Sequence, residues 1–140
     1  MSEVVVDASI VICWYGREVE TPAANQLIRS RATLLAPSLL FAELANGLWK
    51  KMRRGEMGAD YARAAMNEIR RFIPEFVETG ELAPQALELA GEIGHSVYDC
   101  FYLALARRRI APLVTLDRAL IASVAKTPYA RDIVHLADWV

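Results

Sequence analysis

Along this chain, short unbroken apolar runs alternate with stretches in which apolar positions recur about every four residues. Val4-Val5-Val6 is a β-branched run ending at Asp7, which predicts a buried strand. Ala8 to Tyr15 reads as a short helix stopped near Gly16. Thr21-Pro22 opens a second helix through about Ser30, with Thr21 as N-cap and Pro22 at the first helical position. Leu34 to Ala36 is a short strand. Ser38 then caps a long helix that runs to Arg54 and stops at Gly55. Its Leu40, Leu44, Leu48 and Met52 recur every four positions, so that stripe faces the core. Ala59 to Phe72 is a further amphipathic helix. Phe76-Val77 reads as a strand, Pro84 to about Gly94 as a helix, and Ser96 to Arg109 as another. Leu113 to Thr115 is a second clear buried strand. Asp117 begins a helix through about Val124, and Ile133 to Leu136 is a weak last strand.

Strands and helices alternate, and the strands are too short and apolar to have one face in water. This predicts an α/β fold with a parallel sheet and helices on both faces. The 140 residues form one domain, 1–140, with 54% hydrophobic and 24% charged content. A formal net charge of -1 gives no global attraction to nucleic acid, so any basic surface is local. No run reaches the ~20 apolar residues of a membrane span. The apolar N-terminus lacks a positive leader and carries Glu3 and Asp7, so it predicts a core strand, not a signal peptide. A soluble, cytoplasmic protein is expected. Cys13 and Cys100 lack metal-ligand spacing and read as buried thiols; His95 and His135 stand isolated, so a histidine-based zinc site is not expected.

Four carboxylates sit beside apolar runs, where an unpaired charge is costly. Asp7 follows the first strand and Asp117 follows Leu113-Val114-Thr115-Leu116. Glu43 lies within Leu39-Leu40-Phe41-Ala42-Glu43-Leu44-Ala45, and Asp99 between Val97-Tyr98 and Cys100-Phe101-Tyr102. Each has a purely structural reading. Asp7 can form a turn, Asp117 can cap a helix, and Asp99 can complete a capping box with Ser96. Glu43 can belong to a solvated stripe with Asn46, Lys50 and Arg54. Together they have a second reading: gathered at one site, four acids repel one another unless a hard divalent cation such as Mg²⁺ or Mn²⁺ holds them. Ser9 and Thr115, each two positions from an acid, suit the orientation of a carboxylate or a local turn. On the metal reading, the stripe from Glu43 through Lys50 and Arg54 begins at the metal and runs outward as a basic track suited to phosphates. The basic groups at 50–54, 70–71 and 107–109 also lie near helix C-termini, where cations favour the helix dipole. Trp14, Trp49 and Trp139 read as core or interface residues.

Asp7-Ala8-Ser9, Phe41-Ala42-Glu43-Leu44-Ala45-Asn46-Gly47-Leu48, Tyr98-Asp99-Cys100-Phe101-Tyr102-Leu103-Ala104 and Leu113-Val114-Thr115-Leu116-Asp117 resemble PIN-domain ribonucleases. The resemblance covers essentially the whole chain and is closest to VapC-like toxins of toxin–antitoxin pairs. It implies an α/β/α sandwich around a short parallel sheet, and metal-dependent cleavage of RNA with Mg²⁺ or Mn²⁺. It places Asp7, Glu43, Asp99 and Asp117 as the acidic catalytic and metal site, with Ser9, Asn46 and Thr115 as supporting polar residues. It further implies a homodimer and a small cognate antitoxin. Residues 118–122 lack the further acid that some members carry, so a second cation is less well provided for than a first.

Two other classes compete. A nuclease-silent RNA- or protein-binding module would keep the fold, but the presence of all four acids argues against it. An aspartyl-phosphate phosphatase resembles Asp-x-Asp after its first strand, whereas position 9 here is Ser.

Overall fold

The computed structural model describes residues 2–139. Strands β1 (Glu3–Val6), β2 (Thr33–Pro37), β3 (Glu75–Val77), β4 (Leu113–Thr115) and β5 (Ile133–His135) form one sheet in the order β3-β2-β1-β4-β5. Every neighbouring pair is parallel, with Val4 opposite Leu34 and Val6 opposite Val114. The helices are α1 (Ala8–Tyr15), α2 (Thr21–Arg29), α3 (Leu39–Arg53), α4 (Ala59–Phe72), α5 (Thr79–Ile93), α6 (Val97–Arg109) and α7 (Arg118–Val124). The chain moves outward from β1 to β3, then crosses back past β1 to β4. Right-handed crossovers therefore put α1 to α4 on one face and α5 and α6 on the other. The packing agrees: α1 meets α2 and α3, α3 meets α4, and α5 meets α6. This is the α/β/α sandwich the sequence predicts.

The core is built from the strand residues and the inward stripes. Val5, Val6, Leu35, Leu113 and Val114 are fully enclosed, as are Leu40 and Leu44 of α3. α6 buries Cys100 and Tyr102 through Ala106 against β1, β2 and β4. Both cysteines are buried free thiols. Close approach of α1 to α3 depends on Gly47, where a Cβ would stand 2.3 Å from Ile12 Cδ1.

Several local expectations need correction. Thr21 is the first residue of α2, not its cap; Glu20 holds the cap position. The Thr21 hydroxyl instead donates to Cys13 O at 2.9 Å and accepts from Glu18 N–H at 3.0 Å, tying the loop after α1. Ser38 precedes α3 but makes no side-chain cap. Its hydroxyl accepts from Thr79 N–H at 3.0 Å, joining the entry of α3 to the entry of α5. α5 begins at Thr79 rather than Pro84, because Glu78 caps it through Gly80 N–H at 3.3 Å. Pro84 sits inside the helix on an exposed position, where one lost backbone bond is tolerated.

The basic group at the end of α6 is consumed by the fold. Arg107 pairs with Asp132 at 2.6 Å, and Arg108 donates to Glu81 O at 3.0 Å. Arg109 bridges Glu75 at 2.7 Å and Glu3, joining β1, β3 and α6 at the amino edge of the sheet. Lys51 is likewise buried and paired with Glu18 and Glu56. Lys50 and Arg54 stay exposed beside it, although Arg54 reaches Glu56 at 3.4 Å.

Candidate active site

The strand order reverses direction at β1 and β4, and the crevice in such a sheet opens at the carboxyl ends there. Asp7 leaves β1 and Asp117 follows β4 at that edge. Asp7 is 6% exposed and caps α1 through Ile10 N–H at 3.3 Å. Ser9 donates to its Oδ1 at 2.5 Å, and Thr115 donates to its Oδ2. Ser9 Oγ in turn accepts from Leu116 N–H at 3.2 Å, and Thr115 Oγ1 accepts from Asp117 N–H at 3.0 Å. The two strand ends are thus stitched together by the two hydroxyls that the sequence singles out. They make local turn bonds and orient a carboxylate at once. Burial still dominates Asp7 and pushes its carboxyl up to about 6, against the lowering effect of these bonds.

Glu43 projects from the first turns of α3 and accepts a hydrogen bond at 2.6 Å from the buried hydroxyl of Tyr102. Partial burial raises its carboxyl, the Tyr102 bond lowers it, and the charge of Asp99 raises it again. Asp99 stands in the first turn of α6. Ser96 caps that helix through Tyr98 N–H at 3.3 Å, but Asp99 does not return the bond that a capping box requires. Its Oδ2 is taken instead by His95 Nε2 at 2.7 Å. Asp117 caps α7 with Oδ1, accepting from Ala119 and Leu120 at 3.0 and 3.1 Å.

Asp99 links the four acids. Asp99 raises the carboxyls of both Asp7 and Glu43, and ligand atoms of His95, Asp99 and Asp117 lie within 4.8 Å of one another. Among the described residues, no Lys or Arg pairs with any of the four. Glu43, Asp99 and Asp117 each keep one carboxylate oxygen outside the side-chain hydrogen bonds of the described residues. Free oxygens converging without a cationic side chain form a donor set that fits a hard divalent cation.

Asn46, Lys50 and Arg54 share a shallow groove with Glu43, Gly47 and Lys51. A larger cavity of about 750 Å³ lies elsewhere, between Tyr15, Lys51 and Tyr61, and holds none of the four acids. Sequence reasoning missed two residues. Tyr102 is read only as an apolar neighbour on the face of Asp99, with no role for its hydroxyl, and His95 reads as isolated. The available signals were spacings: Tyr102 lies one turn after Asp99, and His95 four positions before it.

The family and the fold are those of known proteins. A family model for the PIN domain matches residues 4–126. Ribonuclease VapC3 of Pyrobaculum aerophilum is 34% identical over 120 residues, covering 84% of this chain and 92% of its own. The crystal structure of PAE2754 from Pyrobaculum aerophilum superposes with a TM-score of 0.66 at 26% identity, covering 97% of this chain and 85% of that one. VapBC2 from Rickettsia felis, solved bound to a DNA fragment from their promoter, gives a TM-score of 0.65 at 14% identity and covers 99% of both chains, a likeness of fold alone. The chain belongs to the PIN-domain family, and within it to the VapC ribonucleases.

Proposed function

We propose that the protein is an Mg²⁺- or Mn²⁺-dependent endoribonuclease and the toxin of a toxin–antitoxin pair, with Asp7, Glu43, Asp99 and Asp117 as its metal-holding acids. The observation that carries this reading is the gathering of four carboxylates at the carboxyl edge with no Lys or Arg partner among the described residues. A divalent cation bound there supplies the positive charge that activates water and shields the phosphodiester. The chain's own residues prepare that site. Ser9 and Thr115 fix both oxygens of Asp7. Tyr102 fixes one oxygen of Glu43 and leaves the other free. Lys50 near the end of α3 and Arg54 just past it share a groove with Glu43 and Asn46, which supports a role for both in holding RNA phosphates. The antitoxin half of the reading draws on the Rickettsia felis protein, which was solved as VapBC2.

Asp99→Asn tests the site. Because the side chain does not bond back to Ser96, the substitution removes one charge from a crowded cluster while leaving the cap of α6 intact. Thermal stability without metal holds or rises. Mn²⁺ binding and cleavage of a structured RNA fall together, to below about a hundredth of the native rate. A stable variant that still cleaves near the native rate overturns the assignment.

A further inference from the structure

His95 belongs to neither the four acids nor the core. It lies in the turn between α5 and α6, and both sides of that turn are fastened. Gly94 closes α5 in the left-handed region at φ 66°, donating to Ala90 O at 2.9 Å. Ser96 caps α6 on the other side. His95 is the one residue between two capping positions, so its imidazole is delivered to a set place. That place is Asp99: Nε2 stands 2.7 Å from Oδ2, with the imidazole 19% exposed. Nitrogen and oxygen atoms of His95, Asp99 and Asp117 lie within 4.8 Å of one another. Donors around one six-coordinate ion stand roughly 3 to 4 Å apart, given bonds near 2.1 Å. The three side chains are within a small side-chain adjustment of that spacing.

We propose that His95 is a nitrogen ligand of the cation beside Asp99 and Asp117, so that the site holds a first-row transition ion in preference to Mg²⁺. The inference rests on the metal-site reading above and adds a donor to it. Imidazole suits transition ions, whereas Mg²⁺ demands oxygen and releases its waters reluctantly. Coordination through Nε2 places the ring hydrogen on Nδ1. The bond that Nε2 shares with Asp99 is then replaced by bonds from both groups to the ion. The competing role for His95 is positional, donating a hydrogen bond that orients Asp99. Gln at position 95 can supply such a bond without an imidazole.

The experiment uses the full chain, Mn²⁺ as spin probe, and calorimetric titration with Co²⁺ and Mg²⁺. In the native protein, electron spin-echo modulation of bound Mn²⁺ shows coupling to a ¹⁴N nucleus. His95→Gln and His95→Ala both lose that coupling. Both lose about tenfold or more in Co²⁺ affinity, while Mg²⁺ affinity stays within about threefold. Mn²⁺ that binds in an Asp99-dependent way without ¹⁴N coupling overturns the ligand role and leaves the acidic site standing. So does a parallel loss of Co²⁺ and Mg²⁺ affinity. Mn²⁺ binding that survives Asp99→Asn unchanged overturns both readings.

Discussion

At the scale of single residues, Asp7 shows what this site costs the fold. Its carboxyl is enclosed at the junction of two strands, and burial raises it from 3.8 to about 6. Between those values the folded chain keeps a proton on Asp7 that the unfolded chain has released. The native state then binds more protons than the unfolded one, so this group's contribution to stability falls as pH rises through the window and is level above it. The total is about 3 kcal/mol. Asp7→Asn, which can still cap α1, removes that slope and raises metal-free stability at pH 7 by up to ~3 kcal/mol. Urea midpoints of both proteins at pH 4.5 and 7 measure it. A native-minus-variant difference that does not change with pH contradicts the account. Asp7 was legible in the sequence because a charge at the end of a β-branched run is conspicuous. His95 was not, because its meaning depends on a turn that sequence spacing does not aim.

At the scale of elements, the contact of α1 with α3 sets how near Asp7 and Glu43 stand. Gly47, one turn beyond Glu43, is where the two helices touch. An added Cβ would meet Ile12 Cδ1 at 2.3 Å and Cγ1 at 3.0 Å. Helix propensity favours Gly47→Ala by up to ~1 kcal/mol, and forcing a methyl into this contact costs about 1–3 kcal/mol. The net expectation is a loss of about 1 kcal/mol together with displacement of Glu43 and weaker Mn²⁺ binding. A variant that gains stability and binds Mn²⁺ normally shows that Ile12 gives way instead. Element positions were readable from periodicity in nearly every case, since Val4–Val6 and Leu113–Thr115 bury both faces and Leu40, Leu44 and Leu48 repeat in register. The starts were harder to read. Thr21, Ser38 and Thr79 carry hydroxyls of the capping type, yet two of them bond to each other across distant segments. No local pattern shows a hydroxyl that its tertiary neighbour has claimed.

At the scale of the whole molecule, the family resemblance leads to the expectation of a homodimer, and the surface supplies apolar area for one. Trp49 and Tyr98 are each at least half exposed. Light scattering at micromolar concentration is expected to give twice the chain mass; a monomer alone argues against it. Among the described residues, no helix is long and apolar enough to cross a membrane. The two edges of the sheet are joined through α6. Asp99 stands in its first turn at one edge, and Arg109 ends it at the other, clamped to Glu3 and Glu75. With 13 residues the helix spans about 20 Å. One rod thus carries the proposed metal-holding Asp99, six buried residues of the core and the far anchor. Inherited variation has little room there, because a change accepted for packing also moves the acid. A scan of all single substitutions is therefore expected to find the buried positions of α6, Cys100 and Tyr102 to Ala106, nearly immutable, while exposed Tyr98 and Arg108 tolerate change. The exposed faces of α4 and α5, which carry none of these duties, should drift freely.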